Sequence, residues 1–234
     1  MKRTKNFFGI IAILAIIGLT FISCKMETTD TEPDPKHQWC EWTVTTPATL
    51  TSFGEMERIC INCYAKEKRD STLIGSIGPG GGTVFYHNPN GFTVTGADSF
   101  TAYCLEAAPT NQATRSVTWS STYVNVTGAT GTAIGTGKAN TAAIIAAHSS
   151  DTAGNNAAKA AVAYTGGGKS DWFLPSIDEL NEMYKARTHL GISSGIFWSS
   201  SQIDNDTAWT QSFANVDQHY AKDLNYNVRA VRAF

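Results

Sequence analysis

Basic charge is what this sequence has little of. Lys and Arg number 18 against 20 Asp and Glu, the formal net charge is −2, and only 16% of residues are charged. With no Lys/Arg stripe to release counterions from a phosphate backbone, nucleic acid is excluded as a partner. The histidines, at 37, 87, 148, 189 and 219, never adopt the H-E-x-x-H type of spacing that sets two ligands on one helical face. No nucleophile, base and metal set stands in local reach, so no catalytic residue is assigned and a non-enzymatic role is expected. No cysteine follows Cys104, no apolar stretch after Cys24 reads as a transmembrane helix, and no long repeat is visible.

What is present begins at the amino end. Lys2, Arg3 and Lys5 precede the apolar run Phe7 to Phe21, which stops at Ile22-Ser23-Cys24. About fifteen apolar residues fall short of the roughly twenty that span a bilayer, and the positive-then-apolar order is that of an export signal. Residues 1–23 are therefore expected to be a signal peptide. Cys24 behind small Ser23 resembles a lipobox, from which Phe21 departs, standing where Leu is usual. The resemblance implies cleavage before Cys24 and acylation of its thiol, hence a lipid-anchored protein of the bacterial envelope, at the outer membrane or cell surface. Residues 24–38, with Thr28, Thr29, Asp30, Thr31, Glu32, Pro33, Asp34 and Pro35, hold almost nothing apolar and read as a solvated tether.

Residues 39–72 form a small cysteine-bearing module expected to be rich in β-strand. Its Trp42-Thr43-Val44-Thr45, Ala48-Thr49, Gly54, Arg58, Cys60, Cys63 and Glu67 resemble a small repeat of bacterial surface proteins. The chain departs from that pattern in having Leu50 where a Cys is usual, with Cys40 ten residues earlier. His37, Cys40, Cys60 and Cys63 make H-x-x-C followed by C-x-x-C, a set suited to tetrahedral zinc. Outside the cytoplasm thiols oxidise, so a disulfide from Cys40 to Cys60 or Cys63, stapling a module with little core, is the favoured alternative. A redox-active C-x-x-C is a third, without the βαβ context of thioredoxin-like proteins.

Residues 75–234 form the larger domain. Thr83 to His87 reads as a strand closed by the turn signal Asn88-Pro89-Asn90-Gly91, and Tyr103 to Ala107 as another. Helices are expected over Asn140 to His148 and Asn155 to Tyr164, each capped by its Asn. Ser176-Ile177-Asp178-Glu179 makes a capping box, after which Ile177, Leu180, Met183 and Tyr184 share a buried face while Asp178, Glu179, Glu182 and Lys185 point to water. Short strands follow over Ile196 to Ser200, Thr207 to Phe213 and Asn227 to Ala233, the last returning to pair with early strands. Cys104 reads as a buried, inert thiol. The Walker-like Gly166-Gly167-Gly168-Lys169-Ser170 lacks its first glycine, since Ala163 stands there, and leads into Asp171-Trp172 instead of a helix, which argues against a phosphate loop.

Four motifs occur in order: Trp172-Phe173-Leu174-Pro175-Ser176 with Glu179-Leu180, Phe197-Trp198-Ser199-Ser200, Ala208-Trp209 with Phe213, and Val228-Arg229-Ala230-Val231-Arg232. Together they resemble the family typified by the C-terminal domain of the Legionella collagen-like protein. The resemblance implies an α+β, C-type-lectin-like fold, also akin to formylglycine-generating enzymes, with short twisted antiparallel sheets, flanking helices and long loops. It implies a place on bacterial surfaces, where some members bind sulphated glycans. The formylglycine generators use cysteines late in the domain, which this chain lacks. Trp172, Trp198 and Trp209 are expected in the core, and Arg229 and Arg232 beside acidic residues near the capping-box helix. Asp204, Asp206 and Asp217 are hard-oxygen candidates for calcium, alongside their ordinary turn role. With His219, Tyr220 and Lys222 they form the expected ligand face, for a glycan or an extracellular protein, because binding residues concentrate on loops held by a rigid scaffold.

Overall fold

The computed structural model describes residues 37–215, 218–220 and 222–234, the side chains of 218–220 excepted. The signal peptide, Cys24 and the tether as far as residue 36 lie outside the described residues, as do Val216, Asp217 and Ala221. The chain is mixed, with mostly strands and few helices. In order run β1 (Thr43–Thr46), β2 (Gly54–Ile59), β3 (Lys66–Ser71), β4 (Thr83–Val94), β5 (Phe100–Ala107), β6 (Ala113–Val117), α1 (Gly137–Ala147), α2 (Ala157–Val162), α3 (Ile177–Lys185), β7 (Ile196–Gln202), β8 (Ala208–Ser212), β9 (Gln218–Tyr220), β10 (Tyr226–Val228) and β11 (Val231–Ala233). They make three small sheets, ordered β1-β2-β3, β6-β10-β7-β8-β9 and β11-β5-β4. In the second and third sheets pairing is antiparallel except between β10 and β7.

The described chain divides into two compact units, residues 37–43 with 58–67, and residues 44–57 with 68–234. The division thus cuts across the 39–72 module instead of following it. In the smaller unit Trp39 pairs antiparallel with Cys60, the Cys40 N–H donates to the Ile59 carbonyl at 3.0 Å, and Ile61 N–H to Gln38 at 2.8 Å. The Arg58 guanidinium lies 5.0 Å from the Trp39 ring centre and 4.8 Å from that of Trp42, so cation–π contact substitutes for an aliphatic core.

In the larger unit the capping box forms as expected: Ser176 Oγ accepts from the Glu179 N–H and the Glu179 carboxylate accepts from the Ser176 N–H. Ile177, Leu180 and Met183 are buried against Phe85, Phe173, Phe197 and Phe213. Glu179, expected in water, is fully buried, because the Gly135 N–H also reaches its carboxylate at 2.8 Å. A second cluster gathers Trp119, Trp172, Trp198, Ile144, Val117, Val228 and the alanines of α2. Trp209 is only half-buried.

Other expectations shift by small, intelligible amounts. Asn156, not the expected Asn155, caps α2, accepting from the Lys159 N–H, while the Asn155 side chain accepts from the Thr152 N–H. Asn140 does not cap α1, which starts at Gly137, three residues earlier; its amide binds Gly131 instead. The turn signal Asn88 to Gly91 does not end its strand. It is an irregularity inside β4, where pairing jumps from His87↔Cys104 to Phe92↔Ala102 while Asn88 bonds Asn90 and Gly91. The closing segment splits into β10 and β11, which join different sheets, pairing with β6 and β5 respectively. Gly80 is required by close approach: a Cβ there would stand 2.7 Å from the Glu106 carboxylate and 2.8 Å from Trp172. Glu106, fully buried, accepts from the Gly80 and Gly82 N–H groups and pairs with Arg232 at 3.0 Å, and Arg232 also binds Asp171 at 2.6 Å. Arg229 departs from its expected acidic partner and bonds Asn111 and the Ala108 carbonyl. The Gly166–Gly168 segment is a short 3-10 turn, with Gly167 at φ +64.

Candidate functional sites

Two sites gather most of the residues singled out in the sequence. The first lies in the smaller unit. Cys60 and Cys63 stand at the two ends of one turn, closed by the Tyr64 N–H donating to the Cys60 carbonyl at 3.0 Å. The ring of His37 stacks on Trp39, with centroids 5.1 Å apart and planes 20° apart. This packing brings His37 Nδ1 to 3.3 Å from Cys63 Sγ. One ligand atom each from His37, Cys60 and Cys63 lies within 4.8 Å of the others, a group able to hold a metal ion. Burial pushes the Cys60 thiol up, but the Cys63 N–H, the His37 ring, the Asn62 N–H and the Cys63 thiol outweigh it and draw it down to about 6. Its thiolate is therefore well populated at neutral pH, the form in which sulfur acts as nucleophile or metal ligand.

Cys40 behaves differently from expectation. It is buried, while Cys60 and Cys63 keep free thiols, so the staple from Cys40 to either of them does not form. Nor does Cys40 join the metal-binding group. Trp39, not Cys40, stands opposite Cys60, and neighbouring residues of an extended chain point to opposite faces.

The second site lies in the larger unit, at the loops expected to face a ligand. Lys222, expected to project from them, is instead buried. Its Nζ donates to the Val124 carbonyl at 3.0 Å, Gln202 Oε1 at 2.9 Å, the Asp204 carbonyl at 2.8 Å and the Asn205 carbonyl at 3.0 Å, and lies 4.5 Å from the Trp119 ring centre. Burial pushes the ammonium down to about 8, against the opposing pull of Asp204 and Asp206. Gln202 extends the cage, since its Oε1 also accepts from the Val126 N–H and its Nε2 bonds Asn125.

These bonds fasten three loops, around Tyr123, Ile203 and Leu224. At their tips Tyr123, Val124, Ile203 and Leu224 remain exposed. Burial and the charge of the nearby Asp223 carboxylate push the Tyr123 phenol up.

The carboxylate of Asp204 turns into its own loop, accepting from the Asp206 N–H at 2.9 Å and from the Thr207 N–H and hydroxyl at 2.8 Å each. The Thr207 hydroxyl and the Asp206 N–H hold it below the usual carboxylate range. Asp204 thus fills its turn role, and the carbonyls beside it already serve an ammonium, the arrangement calcium would need for itself. Asp206 is exposed and accepts from the Asn205 amide at 2.8 Å. His219 and Tyr220 lie on β9, opposite Thr210 and Trp209, and Asp217 lies outside the described residues.

Two further clusters were not legible in sequence. Ser121, Asp151 and His148 come together, but in an order unsuited to nucleophilic catalysis. The Ser121 hydroxyl bonds Asp151 directly, while His148 Nδ1 stands 4.0 Å from Asp151 and 3.2 Å from Thr122 Oγ1. His148 is therefore not placed to take the serine proton. A cavity of about 560 Å³ is lined by the apolar Val44, Met56, Ile74, Phe85 and Ala186, by His189, and by the charged Arg69, Asp70, Glu182 and Lys185. Nothing in sequence signals it, because its walls come from β1, β2, β3, β4 and α3. Among the described residues no helix is long and apolar enough to cross a membrane. Compared with known protein families and with curated proteins, the chain matches none.

Proposed function

We propose that this chain is an envelope lipoprotein, anchored through Cys24, whose larger unit is a non-enzymatic, C-type-lectin-like binding domain for an extracellular glycan or protein. The observation that carries this reading is the Lys222 cage: one buried ammonium ties three loops together and leaves Tyr123, Val124, Ile203 and Leu224 exposed beside Asp206 and Asp223. Loops fixed from beneath lose little conformational entropy on binding, and an exposed tyrosine among carboxylates offers both a stacking face and hydrogen-bond acceptors. On this reading binding needs no calcium, since the loop carbonyls are served from within the chain.

The test is the full chain in detergent micelles, applied to glycan arrays and immobilised matrix proteins. Saturable binding that survives chelation of calcium and is lost in Tyr123→Ala and Leu224→Ser, both still folded, supports the proposal. Silence across all surfaces sinks it. For the anchor, radiolabelled palmitate should enter the wild-type chain and not Cys24→Ser.

A second reading, metal handling in the envelope, is favoured by the closeness of His37, Cys60 and Cys63. Two thiolates and an imidazole suit zinc, and the purified chain should then carry one zinc per molecule, absent from Cys60→Ser.

A further inference from the structure

We propose that the Cys60–Cys63 pair is a redox-gated metal site: as two thiolates beside His37 it holds one zinc ion, and when the pair is oxidised to a disulfide it lets the ion go. This rests on the reading of the group as a metal site and adds its regulation.

The geometry gives both states the same address. The three ligand atoms lie within 4.8 Å of one another, and the two cysteines bound one hydrogen-bonded turn, so the sulfurs that share an ion are also the sulfurs placed to join each other. Backbone bonds hold this turn without using either sulfur. The Cys60 N–H donates to Ala65 at 2.9 Å and the Ile61 N–H to Gln38 at 2.8 Å, next to His37, whose ring is held by Trp39. The frame therefore persists when the sulfur chemistry changes.

Access is one-sided, since Cys63 is exposed and Cys60 buried. Cys40 is not a member of this group, so the chain offers three donors here and leaves the fourth position of a tetrahedral ion to an outside group. Structural zinc sites close with four protein ligands; a three-ligand site with an exposed sulfur is one an outside disulfide can reach.

The co-reactant is a small disulfide. The Cys63 thiolate attacks one of its sulfurs, forming a mixed disulfide and releasing one thiolate. The Cys60 thiolate then attacks Cys63 Sγ and expels the second. The protein sulfurs lose two electrons, the small disulfide gains them, and zinc leaves as the dication with the two small thiolates balancing its charge.

The experiment uses the full chain in detergent micelles, with Cys60 and Cys63 as thiols, loaded with zinc and then titrated with oxidised glutathione. Zinc release is followed with a coloured chelator, and the thiols by mass spectrometry of the peptides. One zinc should leave as two thiols disappear into a bond mapped between Cys60 and Cys63, with buried Cys104 unchanged as an internal reference, and mild dithiothreitol should restore zinc binding. His37→Ala should weaken zinc by more than the roughly tenfold that loss of an outer-shell partner costs, yet form the disulfide as readily. Zinc retained while both thiols oxidise, or lost with only glutathione adducts formed, overturns the gating and leaves the metal site standing. A thiol form that binds no zinc overturns the metal site itself, and the gating with it.

Discussion

The Lys222 cage and the His37–Cys60–Cys63 group are both tight polar clusters, but they differ in what they bring. Around Lys222 the chain supplies one cation and four oxygens that accept from it. Around Cys60 it supplies three electron-pair donors drawn together, two of them sulfur. The first set is electrostatically complete in itself, and its role is to hold loops in place. The second is made stable by a proton, a sulfur–sulfur bond or a metal, so its state depends on the surroundings. Compactness alone therefore does not mark a functional centre; the sign of what is gathered does.

Removing the cation is the sharpest way to break this comparison. Lys222→Met leaves buried oxygens without a donor and should destabilise the larger unit by about 3–5 kcal/mol in denaturant melts, while zinc binding by the smaller unit stays intact. Loss of both together would mean that the two clusters are not independent.

A somewhat smaller effect is expected at Glu179, a buried charge whose partners are N–H groups and not a cation. Burial pushes its carboxyl up to about 7, against the N–H groups of Ser176, Gly135 and Gly137. The folded chain then binds the proton more tightly than the unfolded one, whose carboxyl titrates near 4.5. Between those values the folded state carries more protons, so stability falls as pH rises through the window, by a total on the order of 3 kcal/mol. Melting temperatures at pH 5 and pH 8 should show the fall, and Glu179→Gln should flatten it. Cys60→Ser should abolish zinc uptake by metal analysis yet change the melting of the larger unit by less than about 1 kcal/mol. Smallest of all in stability, within about 0.5 kcal/mol, are Tyr123→Ala and Asp206→Asn at the exposed loop tips; of the two, loss of the tyrosine should be the one to abolish ligand capture.

Local signals proved readable and long-range ones did not. The capping box at Ser176, the buried stripe Ile177, Leu180 and Met183, and the burial of Trp172, Trp198 and Cys104 all follow from neighbours within a few positions. Glu179 was misplaced because the N–H that draws it inward belongs to Gly135, far back in the chain. Lys222 was misplaced for the same reason: its oxygens come from Val124 and from residues 202–205, and nothing in Ala221-Lys222-Asp223 signals burial. At Asn88 to Gly91 the turn chemistry was genuine, but pairing with β5 resumes beyond it, so a bulge stands where a strand end was expected. The cysteine spacing pointed to a quartet with Cys40, of which the structure brings only His37, Cys60 and Cys63 together; the register of Trp39 against Cys60 separates Cys40 from them.

The splitting of the final strand has a consequence in time. β10 lies between β6 and β7, and β11 completes the edge beside β5, so residues 226–233 enter two sheets of the larger unit at once. A chain that crosses a membrane from its amino end would arrive with β4 to β8 already outside but without the strand that links β6 to β7. Such long-range pairing is the slow part of folding, and it leaves strand edges exposed until it is made. On the proposed envelope reading, the larger unit should therefore complete its fold late and as a single event, after the whole segment has emerged, which would keep the chain loose enough for passage until passage is nearly over.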